Sequence, residues 1–216
     1  MRRLLLLTAA LLLCLSLCSC SLYDLLGIDT HDYAAEPMTE TLATDGEVAS
    51  ELCTMIAMMV QNTPHLSPFD APSKAAELYR NGILCAILER NYSKYNANTD
   101  LIAKTKELYP AYEITTVIPA VDFESTVYRY FGGTTSVDNR STDLFIYLDK
   151  VDAYVSVGIG VDNAAEVIIE ELYATENTYV CTFTMRMHDT EAGPYRLLCM
   201  RRTDGTFYMK TLTEMQ

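Results

Sequence analysis

Pairs of acidic side chains are the residues of this chain whose spacing could most simply perform acid–base chemistry. Asp149 and Asp152 stand near the end of one predicted strand, and Glu166, Glu170 and Glu171 lie on another. Two carboxyl groups that converge on one bond can act as acid and base, or as acid and nucleophile, in hydrolysis. The same spacing is typical of a solvated sheet face. We favour that interpretation, and a small hydrolase that uses acidic residues is the alternative.

Motifs of the other common catalytic classes are missing from the sequence. The three histidines, His31, His65 and His188, are far apart in the chain, and no HExxH, GxSxG or phosphate-binding glycine motif occurs. The sequence has no CxxC motif either, so it indicates neither a thiol redox site nor a zinc ribbon. We therefore predict no metal ion and no cofactor, and we favour a non-catalytic role.

Two cysteines near the carboxyl end are candidates for a disulfide bond. If the turn between two predicted strands is centred on Thr190, Cys181 lies directly opposite Cys199. Directly opposed residues of antiparallel strands lie within disulfide reach. The alternative is a pair of small buried thiols. Cys53 and Cys85 fall on different predicted helices, and the sequence does not pair them.

Tyrosine is unusually frequent, with 15 residues in a chain that has no tryptophan. Its apolar ring and polar hydroxyl suit surfaces that bind a ligand or a partner, and they suit ordinary sheet cores equally well. The candidate ligand surface consists of four tyrosines from the predicted sheet and the helix before it: Tyr128, Tyr130, Tyr147 and Tyr154.

The amino terminus has the pattern of an export signal. Arg2 and Arg3 precede a nearly unbroken apolar run over residues 4–17, and a polar, acidic chain follows. The end of the run, Leu17-Cys18-Ser19-Cys20, resembles the lipobox of bacterial lipoproteins. The resemblance implies that residues 1–19 form a signal peptide. It also implies that Cys20, preceded by the small Ser19, becomes the lipid-bearing first residue. Plain secretion and an uncleaved anchor are the alternatives.

This resemblance implies an address on the outer side of a bacterial membrane. Two or more acyl chains, palmitate among them, hold a protein stably at a bilayer, whereas a single chain does not. The chain carries a formal net charge of -13, and removal of Arg2 and Arg3 with the leader makes it -15. Binding to nucleic acid through phosphate neutralisation is therefore excluded. Residues 20–43 are acidic and predict a flexible tether.

The order of elements after the tether predicts an α+β fold. Thr44 and Glu47 match a capping box that opens an amphipathic helix, and a second helix is predicted from Ser73 to about Tyr95. Residues 112–118 predict a strand, and helical spacing predicts a helix over residues 121–131. Beyond residue 143, alternating runs separated by turn residues, residues 178–187 among them, predict an antiparallel meander. We expect one domain, residues 44–216, in which three to four helices pack on a curved antiparallel sheet of about five to six strands.

These patterns together favour a lipid-anchored extracytoplasmic envelope protein. The expected role is to bind a partner protein or a small ligand without catalysis, and a small extracytoplasmic hydrolase is the competing class. The sequence names neither the ligand nor the partner.

Overall fold

The computed structural model describes residues 31–61, 66–132, 137–157, 165–187 and 190–215. The predicted signal peptide and the predicted lipid site Cys20 lie outside the described residues. The chain divides into two compact units, residues 1–36 and 37–216. The described part of the first unit holds a short 3₁₀ helix, Tyr33–Ala35, at whose start the Asp32 side chain accepts a hydrogen bond from the Ala34 N–H.

The described part of the second unit contains five α-helices. They are α1 (Glu47–Val60), α2 (Pro72–Leu78), α3 (Arg80–Ala97), α4 (Thr99–Leu108) and α5 (Ala120–Phe131). The capping box predicted at Thr44 is wrong. The N-cap of α1 is Gly46 and no side chain caps it, whereas Glu47 in the first turn places a negative charge at the positive end of the helix.

The single helix predicted from Ser73 to Tyr95 is divided at Tyr79, whose backbone (φ -102°, ψ 14°) leaves the helical region. The buried Tyr79 hydroxyl donates to the Ser67 carbonyl at 2.6 Å and accepts from the Ser67 N–H at 2.8 Å. The side chain thus ties the start of α3 to the preceding loop. Three residues later, Gly82 lies against the backbone of α1, where a Cβ atom would stand 2.6 Å from the Met58 oxygen.

The strands of the described residues form two antiparallel sheets. The strands are β1 (Glu40–Thr41), β2 (Ile118–Pro119), β3 (Phe145–Leu148), β4 (Ala153–Ser156), β5 (Ala165–Ala174), β6 (Thr178–Met187), β7 (Thr190–Arg201) and β8 (Phe207–Glu214). The larger sheet has the order β1-β5-β6-β7-β8 and the smaller one β2-β4-β3. The predicted α+β class, with helices packed on antiparallel strands, is confirmed; the strands are shared between two sheets.

The main core lies between the helices and one face of the larger sheet. Helix α1 packs against β5, and α5 packs against β8. The fully buried face of α1 carries Leu52, Met55, Ile56 and Met59, at the spacing of an amphipathic helix. These residues belong to the same core cluster as the inward side chains of the sheet, such as Phe183.

A second, smaller core contains residues that the sequence predicts as a strand but that mostly do not pair. The sequence favours a strand over residues 112–118, but only Ile118 and Pro119 pair, with β4. Ile114 and Val117 instead pack with Leu148 in a separate cluster on the small sheet, which residues of α4 also contact. The β-branched side chains of Ile114 and Val117 therefore fill a core, although neither residue pairs in a strand.

The predicted tether is shorter than expected at its carboxyl end. Glu40 and Thr41 pair with the last residues of β5, and the Thr39 and Leu42 N–H groups donate to the carbonyls of Ala174 and Leu172 at 2.8 and 2.9 Å. A sheet edge offers unpaired backbone groups, and this segment satisfies them. The second unit begins at residue 37, and β1 belongs to it through its pairing with β5.

The register in which Cys181 faces Cys199 is wrong. Cys181 lies opposite Leu197, and Cys199 lies opposite Tyr179. The strand β7 already begins at Thr190, and the ladder shifts near Pro194, which has no N–H to donate. Both thiols are free and buried, and burial raises the pKa of Cys181 to about 12 and the pKa of Cys199 well above its usual value.

Within the described ranges, no helix combines the length and the apolar character that crossing a membrane requires.

Candidate binding groove

Helix α5 carries the most unusual surface of the described fold. Its inner face is buried through Phe123, Val127 and Phe131. Its outer face nevertheless exposes two large apolar side chains, Val121 (58 % exposed) and Tyr128 (62 % exposed). They stand two helical turns apart on one side of the helix, so they form the two ends of one surface. Contiguous exposed apolar surface is one feature of binding sites, which makes this face of α5 a candidate.

The end of α5 is fixed by Arg202, which lies just after β7. The Arg202 guanidinium donates to the carbonyls of Tyr128 and Arg129 at 2.9 and 3.0 Å in the last turn of the helix. The Tyr128 carbonyl also accepts the Gly132 N–H at 3.2 Å. It also lies over the rings of Tyr128 and Tyr208, at 5.8 and 4.9 Å from their centroids. A cation at this end also complements the helix dipole. The backbone that carries Tyr128 is therefore firmly held.

An open groove of about 520 Å³ runs along this outer face. Val121, Glu124, Ser125 and Tyr128 of α5 line it, together with Val137 from the segment that follows the helix. The lining combines apolar side chains, an aromatic ring, a hydroxyl and a carboxylate. A pocket with an apolar lining and a few fixed polar groups is typical of a ligand site.

A chain of hydrogen bonds connects the Glu124 carboxylate to the interior. Asn139 Nδ2 donates to Glu124 Oε1 at 2.5 Å. The Tyr154 hydroxyl donates to Asn139 Oδ1 at 2.8 Å, and Arg80 Nη1 donates to the Tyr154 oxygen at 3.1 Å. The two middle groups, Tyr154 and Asn139, each accept from the group before and donate to the group after, so each bond polarises the next. We call Arg80, Tyr154, Asn139 and Glu124 the Arg80 relay.

Arg80 is a buried charge, with only 4 % of its surface exposed. Its Nη2 lies 3.4 Å from Glu77 Oε2, its guanidinium lies 5.2 Å from the centroid of the Phe123 ring, and its Nε has no hydrogen-bond partner. Glu77 also pairs with Arg140. Burial of a charge costs several kcal/mol unless partners compensate it. The Tyr154 hydroxyl therefore compensates part of the Arg80 charge. The relay connects Arg80 to the groove through hydrogen bonds.

The four tyrosines of the predicted ligand surface do not form one surface. Tyr128 lines the groove, but Tyr154 is fully buried and Tyr130 is 6 % exposed. The Tyr147 ring lies 5.2 Å from the Tyr154 ring, and its hydroxyl donates to Asp152 Oδ1 at 2.7 Å. This carboxylate raises the pKa of Tyr147 to about 12. Strand alternation and burial thus place Tyr154 in the interior, behind the groove surface. They place Tyr130 on the inner side of α5.

The acidic pairs do not converge on a cleft. Asp149 and Asp152 lie exposed in the turn between β3 and β4, where Asp149 accepts a hydrogen bond from the Tyr109 hydroxyl at 2.6 Å. This bond holds the pKa of Asp149 below its usual value, the opposite of what a catalytic acid requires. Glu166 pairs with Arg186 on the exposed face of the larger sheet. Glu170 and Glu171 are exposed beside a bulge of β5.

Sequence patterns identified Tyr128 but missed the rest of the groove. Arg80 was not singled out, although it stands three residues before the buried Ile83 of the same helix, a spacing that is consistent with an inner position. Glu124 and Asn139 carry no such signal, because a carboxylate on a helix and an amide in a loop are typical of any surface.

No family model, no curated protein and no solved structure matches this chain. The chemistry of the groove is therefore derived from its own side chains. In the part of the chain that the structure describes, no group of three or more His, Cys, Asp or Glu side chains is placed to hold a metal ion.

Proposed function

We propose that this protein is a lipid-anchored extracytoplasmic binding protein whose groove on α5 holds a cationic group with an apolar body. The ligand is an amine or guanidine, presented by a small molecule or by a partner protein. Glu124 supplies the negative charge, Tyr128 supplies an aromatic face, and Val121 and Val137 supply apolar contact.

The Arg80 relay is the observation that carries this proposal. A surface carboxylate normally moves freely and forms weak ion pairs. Glu124 is instead held by Asn139, which is itself held by the buried Tyr154 hydroxyl. A carboxylate fixed in advance loses less conformational entropy when a cation binds, which improves affinity. An ammonium next to Glu124 would also lie near the Tyr128 ring, whose face attracts cations.

The anchor supports the same role from the sequence side. A Cys20 carrying two or more acyl chains would keep the domain at the membrane surface. The acidic segment that follows would hold it away from anionic headgroups by repulsion. A binding domain placed in this way meets ligands that reach the outer side of the membrane.

Nuclear magnetic resonance locates the binding site directly. The full chain in a non-ionic detergent is titrated with phenethylammonium, which joins a cation to an aromatic body. We expect saturable shift changes at Val121, Tyr128 and Val137. Glu124→Gln should weaken binding about tenfold or more, since a hydrogen bond to a charged group contributes about 1.5–3 kcal/mol.

Glu166→Gln is the matched control, because Glu166 is an exposed carboxylate with one polar partner outside the groove. It should leave the affinity for phenethylammonium unchanged. Shift changes spread over the whole acidic surface, or equal losses in both variants, would overturn the proposal.

A further inference from the structure

A second cleft lies between α1, α3 and α5, and Tyr130 and Thr126 of α5 contribute to its wall. Its volume is about 280 Å³. Buried apolar side chains, Met58 of α1 and Ile87 of α3, form part of its lining. This volume is at the lower end of the range for ligand sites, so the cleft admits only a small molecule or a single chemical group.

Two arginines line this cleft, although the chain as a whole is strongly acidic. Arg129 of α5 forms an ion pair with Glu51 at 3.1 Å and lies over the Tyr130 ring. Arg90 of α3 is exposed and has no hydrogen-bond or ion-pair partner among the described residues. With two guanidinium groups and one carboxylate, the arginines leave one positive charge uncompensated.

Uncharged polar groups stand beside the arginines. The Ser125 hydroxyl lines the cleft and is free to donate. Asn91 also lines it, at the point where α3 kinks (φ -124°, ψ 20°), and its amide donates to the Ile87 carbonyl at 3.1 Å. The kink and the side-chain bond fix the edge of the cleft next to Arg90.

The charged residues close in sequence to the lining residues of α3 and α5 have partners of their own. Lys94 forms an ion pair with Asp122 at 2.9 Å, and Glu89 accepts a hydrogen bond from the neutral Gln61 amide at 2.7 Å. Arg90 is the cation of this set that forms no ion pair among the described residues.

We propose that this cleft binds the oxyanion group of a small molecule, a carboxylate or a phosphate, between Arg90 and Arg129. The planar guanidinium presents paired N–H donors that match the two oxygens of such a group, and arginine stays charged at any physiological pH. Ser125 would donate a further hydrogen bond. The cleft shares Ser125 with the groove, but no residue of the Arg80 relay lines it, so the inference does not depend on the binding of a cation to Glu124.

Isothermal titration calorimetry of the full chain at low ionic strength tests this site, with inorganic phosphate and succinate as separate probes and glycerol as a neutral one. We expect saturable binding of phosphate, of succinate or of both, and none of glycerol. Arg90→Gln and Arg129→Gln should each weaken it about tenfold, since each removes a charge-assisted hydrogen bond. The probe that binds tells whether the group is a phosphate or a carboxylate.

Arg186→Gln is the matched control, because Arg186 is an exposed arginine that also has one glutamate partner, Glu166, and lies on the sheet. It should leave the affinity unchanged. The proposal is overturned if neither anion binds saturably, or if Arg186→Gln weakens binding as much as the two cleft variants. Failure here leaves the phenethylammonium result standing, and the reverse also holds.

Discussion

The hydroxyl groups of two neighbouring tyrosines form hydrogen bonds that connect them to charged side chains. The Tyr154 hydroxyl joins a buried guanidinium to an amide that holds a groove carboxylate. The Tyr147 hydroxyl, whose ring lies next to it, joins only to the exposed Asp152. The two residues are neighbours on paired strands and have the same chemistry, yet burial gives them different consequences.

Tyr154→Phe should lower the free energy of unfolding by about 2–3 kcal/mol, because it leaves Arg80 Nη1 and Asn139 Oδ1 without a partner in the interior. Tyr147→Phe, the matched control, should cost clearly less, since water can replace its exposed hydrogen bond. Urea denaturation of both variants measures the difference. Equal losses would show that the relay does not stabilise the fold.

Tyr147 also predicts a dependence on alkaline pH. Its pKa is raised to about 12 from the usual 10.0, first because its hydroxyl donates to Asp152. A raised pKa means that the folded state holds the proton more tightly. This contribution to stability is present below pH 10 and is lost as pH rises from about 10 to 12.

Carbon resonances of labelled tyrosine rings, assigned with Tyr147→Phe, should show this late titration. Asp152→Asn should move the midpoint back towards 10, because it removes the negative charge that opposes ionisation. A midpoint near 10 in the unsubstituted protein would contradict the hydrogen bond.

Regular elements of this protein were predictable where side-chain periodicity was uninterrupted. Alternation placed β6 at its observed limits, and helical spacing placed α5 within one residue of its start. Predictions were wrong where a contact distant in sequence decides the structure. Tyr79 ends a helix through a loop that the pattern does not reveal, and Pro194 lies inside β7 although Gly-Pro favours a turn.

The residues of the candidate groove were likewise predictable only in part. Tyr128 was singled out because tyrosine is frequent in this chain, whereas Arg80 was not singled out at all. The bond between Glu124 and Asn139 joins residues 15 positions apart across a loop, and it depends on where that loop folds back. No local pattern encodes that contact.

Gly82 tests the crossing of α1 and α3. Gly82→Ala should destabilise the protein by about 1–3 kcal/mol, although alanine favours a helix, because the added Cβ would meet three backbone oxygens at the end of α1, those of Met58, Met59 and the C-cap Gln61, at 2.6–2.9 Å. Ser93→Ala, at an exposed position of the same helix, should be neutral or slightly stabilising. Thermal unfolding of the two variants measures the difference in stability. A stabilised Gly82→Ala would mean that the helices do not approach so closely.

The whole molecule is a strongly acidic chain with a net charge of -13, which disfavours contact with anionic headgroups. The proposed function therefore requires a lipid on Cys20 for attachment to a membrane. Under that proposal, the groove would bind ligands within reach of the membrane surface.

Metabolic labelling with an alkyne palmitate analogue in a bacterial host tests the anchor. The unsubstituted protein should carry label and sediment with membranes. Cys20→Ser should abolish both properties, whereas Cys18→Ser, a matched change two residues earlier, should retain them. Label retained in Cys20→Ser would place the lipid elsewhere or replace the anchor with another mode of attachment.

The central claim is that Glu124 recognises a positive charge, and comparison of two nearly identical ligands tests it most directly. Phenethylammonium and 2-phenylethanol share an aromatic body and differ mainly in charge. The unsubstituted protein should prefer the cation about tenfold or more, as expected for one charge-assisted hydrogen bond. Glu124→Gln should remove this preference, and Glu166→Gln should keep it. Equal affinity for both ligands, or a preference that survives Glu124→Gln, would contradict the account.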